Sequence, residues 1–131
     1  MEKIGHEAFK GCSSLSGTLN LPGSVTYIGN EAFKGCSELK SLTLGSSLTI
    51  IGNSAFSSCA KLAVVTLPES LKTIGNSAFK GCSGLRLLSI PNGVNSIGSY
   101  AFDGCSGIRS ITIGNSVESI GDYAFNGGSK F

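Results

Sequence analysis

The sequence predicts a parallel β-solenoid, and three observations predict it. A phrase close to Ile-Gly-x-x-Ala-Phe-x-Gly-Cys recurs with its isoleucine at Ile4, Ile28, Ile51, Ile74, Ile97 and Ile120, a step of 24 residues once and 23 thereafter. Equivalent positions of the copies carry equivalent residue types. Between copies stands a short alternation of apolar residues, the pattern of a strand with one buried face. A fixed period of this length makes each copy one coil, unable to bury its own apolar side and stable only when stacked on its neighbours.

In chain order, each coil opens on Ile-Gly, which predicts an extended segment. Ala-Phe-x-Gly-Cys follows and predicts a turn or a single short helical turn. Its phenylalanines are Phe9, Phe33, Phe56, Phe79, Phe102 and Phe125, and its thiols are Cys12, Cys36, Cys59, Cys82 and Cys105. An aliphatic stands three positions past each thiol, at Leu15, Leu39, Leu62, Leu85 and Ile108. Strands are then expected near residues 18–21, 41–44, 64–67, 87–90 and 110–113. Their inward pairs are Leu19 and Leu21, Leu42 and Leu44, Val65 and Leu67, Leu88 and Ile90, and Ile111 and Ile113. Each strand meets a turn signal, Pro22, Pro68 or Pro91, which lacks a ladder donor, or Gly45 or Gly114, which tolerates turn dihedrals. A last aliphatic, Val25, Leu48, Leu71, Val94 or Val117, leads back to the next isoleucine. The Phe and Cys columns are expected in the core, each side chain on its copy in the next coil.

Leu39, Leu42 and Leu44, and again Leu85, Leu88 and Ile90, fit Leu-x-x-Leu-x-Leu, so the unit resembles the leucine-rich repeat. The phrase Ile-Gly-x-x-Ala-Phe-x-Gly-Cys-Ser-x-Leu is similar to the BspA-like, or Treponema pallidum-type, class of these repeats, and the resemblance covers essentially the whole chain. It implies a right-handed solenoid with a parallel strand ladder on the concave face, and short extended segments and turns on the convex face. It also implies a place among surface-exposed or secreted bacterial adhesins and their relatives in protists, which bind host matrix proteins or other cells.

A single body spanning 1–131 is expected, five coils of about 23 residues plus a partial sixth over 120–131, where Gly128 and Phe131 stand in place of Cys and Leu. The chain opens inside one repeat and stops inside another with nothing resembling a polar cap, which we read as a segment of a longer array. Apolar ends at Ile4 and Leu15, and at Ile120, Phe125 and Phe131, are then expected to favour end-to-end self-association. With 40% hydrophobic and 14% charged residues, the chain can fill a continuous core. A net charge of +2 is too small to argue for nucleic acid or an anionic membrane. No apolar stretch approaches the ~20 residues of a membrane span, and residues 1–9 are not a signal peptide.

No residue is assigned to catalysis, a cofactor or a metal. The only histidine, His6, occupies the register of Asn30, Asn53, Asn76, Ser99 and Asp122, a position suited to capping free backbone N–H groups. Serines and threonines lack a partnered base, no carboxylate pair recurs, and no phosphate-binding glycine loop is present. Five thiols with no Cys-x-x-Cys spacing give neither a zinc site nor a redox dithiol. Coils about 4.8 Å apart bring them within disulfide reach. A reduced packing ladder is still favoured, because parallel thiols pointing into one core are badly oriented for bridging and buried Cys serves as a small hydrophobe.

The outward side of the strands carries the candidate site. Alternation sends Thr18, Ser41, Val64, Leu87 and Ser110 outward in one column and Asn20, Thr43, Thr66, Ser89 and Thr112 in the next. Lys40, Ala63, Arg86 and Arg109 stand at the strand entrances. The candidate partner-binding residues are Lys40, Ser41, Thr43, Val64, Thr66, Arg86, Leu87, Ser89, Arg109 and Thr112, with Val64 and Leu87 as apolar anchors beside a charged rim. The expected function is a non-catalytic protein-binding or adhesion module for a cell-surface or extracellular-matrix partner, extracellular or at the cell surface. The alternative is a structural spacer in a larger surface protein. Ice binding is disfavoured, because Val64, Leu87 and Asn20 interrupt the hydroxyl columns.

Overall fold

A computed structural model describes residues 2–127. Its strands are β1 (Glu2–Ile4), β2 (Gly17–Asn20), β3 (Val25–Ile28), β4 (Leu39–Thr43), β5 (Ile50–Ile51), β6 (Val64–Thr66), β7 (Thr73–Ile74), β8 (Leu87–Ile90), β9 (Ser96–Ile97), β10 (Ser110–Ile113) and β11 (Ser119–Ile120). Even-numbered strands are the alternating segments and odd-numbered strands the Ile-Gly segments. Every pairing is parallel and joins equivalent positions of successive coils, except that the register shifts by one residue between Glu2 and Lys3 in β1 and between Gly17 and Thr18 in β2. Ala-Phe-x-Gly-Cys forms turns, and no helix occurs among the described residues.

The two ladders differ in a way the sequence does not foretell. The Ile-Gly segments, expected to be merely extended, form one continuous six-stranded sheet, β1-β3-β5-β7-β9-β11. The alternating segments were expected to form one ladder of five. They split into β2-β4-β6 and β10-β8, so β6 and β8 do not pair.

Each coil closes around one core column. Phe33, Phe56, Phe79 and Phe102 are fully buried, with ring centroids 5.2–5.3 Å apart. Cys36, Cys59, Cys82 and Cys105 are buried and unbridged, and Cys12 is half-buried and unbridged. The thiols are more than small hydrophobes. The Sγ–H of Cys36, Cys59, Cys82 and Cys105 donates to the backbone carbonyl of Phe9, Phe33, Phe56 and Phe79, one coil back, at 3.1–3.3 Å. Burial raises all four thiol pKa values, those of Cys59 and Cys105 to about 12. These thiols are therefore protonated and unreactive at neutral pH.

The end coils depart from the columns drawn from sequence. Phe9 is 41% exposed, Phe125 is half-buried, and Ile113, expected inward, is 44% exposed, because each described end coil has a neighbour on one side only. Ile120 is exposed and Ile4 and Leu15 are half-buried. Gly128 and Phe131 lie outside the described residues.

Candidate functional site

The strands position the outward residues as alternation requires. Leu42, Leu44, Leu88 and Ile90 are buried, while their neighbours Thr43 and Ser89 face solvent. Parallel register then aligns Thr18, Ser41 and Val64 across β2, β4 and β6, and Leu87 with Ser110 across β8 and β10. Of the ten candidate residues, Lys40, Thr43, Val64, Thr66, Arg86, Leu87, Ser89, Arg109 and Thr112 are exposed and Ser41 is half-buried. All ten lie on or directly before the ladder strands, so the fold gathers them onto one surface.

The apolar pair stands where the ladder is cut. Val64 and Leu87 are 56% and 65% exposed, the latter the most exposed large hydrophobic residue described. A cleft of about 240 Å³ opens there, lined by Ala63, Val64, Val65, Arg86, Leu87 and Ser89. A second cleft of about 220 Å³ shares Val65 and Ser89 and continues past Thr66 and Leu67 to Glu69 and Pro91. At the strand entrance, one long hydrogen bond, Arg86 N–H to the Ala63 carbonyl at 3.4 Å, ties the two coils. The next step is tighter, with Arg109 N–H on the Arg86 carbonyl at 2.8 Å.

The cations at this surface are uncommitted. The ion pairs among the described residues are Lys10–Glu31 at 2.7 Å, Lys61–Glu38 at 2.9 Å and Lys80–Asp103 at 3.8 Å, and none involves Lys40, Arg86 or Arg109. Arg86 lies beside Gly107, where a Cβ would come 2.4 Å from the Ser83 carbonyl oxygen and 3.2 Å from Arg86 Nη1, so the glycine is required first by the backbone of the preceding coil.

The His6 register is structural, as its chemistry implies. His6 Nδ1 accepts from Asn30 N–H at 2.7 Å, and Asn30, Asn53 and Asn76 Oδ1 accept from Asn53, Asn76 and Ser99 N–H at 2.8–2.9 Å. The ladder joins coil to coil rather than capping within one coil. A groove of about 320 Å³ beside it, over Gly75, Gly98 and Gly121, has an equally structural origin. A Cβ at any of these glycines would lie 2.3–2.8 Å from atoms of the preceding coil, so the groove exists because no side chain fits.

Sequence reasoning missed two features. The clefts could not be seen, because Val64 and Leu87 mark the place in sequence but residue type only weakly specifies whether two strands pair. The exposed pair Tyr100 and Tyr123, 5.2 Å apart with Lys80 Nζ 5.2 Å from the Tyr100 centroid, was legible as two tyrosines one period apart. No group of His, Cys, Asp and Glu among the described residues could hold a metal ion.

The family model for the BspA-type leucine-rich repeat region matches residues 2–131 in six copies. Three solved bacterial proteins share the architecture. A Treponema pallidum leucine-rich repeat protein is 31% identical, with a TM-score of 0.75 over 91% of this chain and 66% of its own. A leucine-rich cell surface protein from Faecalibacterium prausnitzii is 32% identical, with a TM-score of 0.80 over 84% of this chain and 29% of its own. A leucine-rich repeat protein from Eubacterium ventriosum is 28% identical, with a TM-score of 0.87 over 95% of this chain and 34% of its own. The chain thus spans between about a third and two thirds of the length of these proteins. No curated protein matches it.

Proposed function

Because the chain belongs to the BspA-type leucine-rich repeat family, we propose that it is a non-catalytic protein-binding module whose even-numbered strands present their outward columns to a partner on a cell surface or in the extracellular matrix. Repeats of this kind work through protein–protein contacts. The observation that carries the reading here is the alignment of ten outward side chains on one surface of a backbone already ordered by its core. Side chains held this way lose little further freedom on binding. The F. prausnitzii relative is described as a cell surface protein, and that supports placing this chain outside the cell.

The spacer reading draws on a different observation. Apart from Val64 and Leu87, the outward columns are mostly small and hydroxylated, as a segment that only holds distance would be. The test is adhesion of the purified chain to a panel of immobilised extracellular-matrix proteins and to cultured cells. Leu87→Asp and Arg86→Glu are expected to weaken adhesion while leaving the thermal midpoint almost unchanged, since both side chains face solvent. Lys72→Glu and Glu118→Lys, on the coil segments leading into β7 and β11, are expected to leave adhesion intact. Adhesion lost only with the second pair would move the site to the other face. Adhesion to nothing tested would favour the spacer.

A further inference from the structure

We infer that the break between β6 and β8 is the seat of an extended peptide segment of the partner, one that places an aliphatic or aromatic side chain between Val64 and Leu87 and an adjacent carboxylate on Arg86 and Arg109. This rests on the ladder face being the recognition surface, and adds which step of the ladder is used and by what chemistry.

Three independent features meet at this step. The first is the backbone. Elsewhere the even-numbered strands pair with a neighbour, but β6 and β8 do not pair with each other, and the clefts open along this step, tied at its entrance by the long Arg86 N–H bond to the Ala63 carbonyl at 3.4 Å. The second is the apolar lining. Thr18, Ser41 and Ser110 hold the outward column in the other coils, and the two aliphatics fall on either side of the cut. The third is charge. Arg86 and Arg109 stand at the entrance without a carboxylate partner among the described residues, while Glu69 lines the far mouth of the cleft. That polarity selects a direction. A carboxylate is favoured at the entrance and repelled at the exit, so the segment lies with its acidic residue toward Arg86.

The clefts together run from Arg86 to Glu69, the length of a short strand rather than a compact small-molecule pocket. The two coils stay close, with the Phe56 and Phe79 ring centroids 5.3 Å apart beneath the cut, so the segment lies across the outward columns and the apolar cleft selects one of its side chains. A segment lacking the carboxylate leaves the guanidinium groups without a partner, and one lacking the apolar side chain leaves the cleft wet.

The test is to pan short random peptides displayed on phage against the immobilised chain at physiological salt. Enriched sequences are expected to hold Asp or Glu within two positions of Leu, Ile, Val or Phe. A synthesised winner should lose about tenfold or more in affinity with Leu87→Ser, with Leu87→Asp and with Arg86→Glu, and should weaken at high salt. Enrichment without an acidic residue overturns the proposal, as does failure to enrich any sequence above the Leu87→Asp protein. Peptides indifferent to Leu87 and Arg86 but lost with Thr43→Arg or Thr112→Arg would overturn the seat and leave the ladder face standing. Peptides lost only with Lys72→Glu or Glu118→Lys would overturn both.

Discussion

The odd-numbered and even-numbered strands are cut from the same coils at the same period, yet one set forms an unbroken sheet and the other is interrupted. The difference lies in what ties each step. In the unbroken sheet, the N–H of Gly29, Gly52, Gly75, Gly98 and Gly121 donates to the carbonyl of Ile4, Ile28, Ile51, Ile74 and Ile97 at 2.8–2.9 Å. Glycine is compulsory there, because a Cβ would sit within 3 Å of the coil before. The asparagine ladder runs alongside and makes further coil-to-coil bonds. The even-numbered strands carry such devices at some steps only. Gly45 and Gly114 lie against the coil before, and Gly114 N–H donates to the Ile90 carbonyl at 2.8 Å with Asn115 N–H on Asn92 Oδ1 at 3.1 Å, whereas β8 is followed by Pro91, which has no N–H to give to the coil of β6. At the cut, inward Val65 is half-buried where Leu42 and Leu88 are buried, and outward Val64 and Leu87 replace hydroxyls. Architecture is thus fixed where alternatives clash, and variation collects where they do not.

The largest test of that contrast is in the shared core. Phe79 is fully buried with a ring stacked on either side, so Phe79→Ala should cost about 3–5 kcal/mol in chemical denaturation. Phe9 is 41% exposed with one stacked neighbour, and Phe9→Ala should cost clearly less. Equal costs would contradict a stacked column. Next comes the glycine column itself. Gly75→Ala puts a Cβ 2.7 Å from the Gly52 carbonyl carbon and should cost about 1–3 kcal/mol. Gly5, in the same register, has nothing within 4 Å of the added atom, and Gly5→Ala should be neutral or stabilising by up to about 1 kcal/mol. A neutral Gly75→Ala would mean that the sheet is not held by close approach.

The thiol ladder gives a pH dependence of known sign. Burial holds the folded Cys59 and Cys105 pKa values at about 12, above the usual thiol value of about 8.5. The folded chain therefore binds these protons more tightly than the unfolded chain. Their stabilisation is fully present below the unfolded pKa and is lost as pH rises through the folded one. The denaturant midpoint should fall as pH is raised from about 9 toward 12, and Cys59→Ala, although less stable at neutral pH, should show a shallower fall. Identical slopes in the two proteins would show that other groups govern the alkaline limb. Alkylation of the folded protein at mildly alkaline pH should reach half-buried Cys12 before the other four thiols.

Most of the fold was legible because repetition makes each position its own control. Six isoleucines and six phenylalanines on one period require equivalent environments, and alternation at Leu42, Thr43 and Leu44 assigned the faces of β4 correctly. The candidate residues were legible for the same reason, since a column is read from any one of its coils. Three things were not. Ile113 shares the register of buried Leu44 and Ile90 yet is exposed, because burial also needs a neighbouring coil. The thiols look apolar in sequence, and their bonds to phenylalanine carbonyls emerge only once coils are stacked. The cut between β6 and β8 depends on how two strands settle against one core, which residue types specify only weakly.

The smallest effect expected is also the one that bears most directly on the cut. Val64→Thr with Leu87→Ser restores the hydroxyl column of the other coils, and with both side chains exposed it should change global stability by no more than about 0.5 kcal/mol. Local opening is a separate quantity. In the unaltered protein, amides of β6 and β8 that face the cut should exchange with solvent faster than those of β7 and β9, which the same coils contribute to the unbroken sheet. Equal protection of the two sets would mean that the strands are paired in solution and that no cleft exists to be filled. If protection at β6 and β8 rises in the double variant while stability stays level, the aliphatic pair itself holds the ladder open, and the price of a recognition cleft is one step of pairing in a solenoid tied elsewhere.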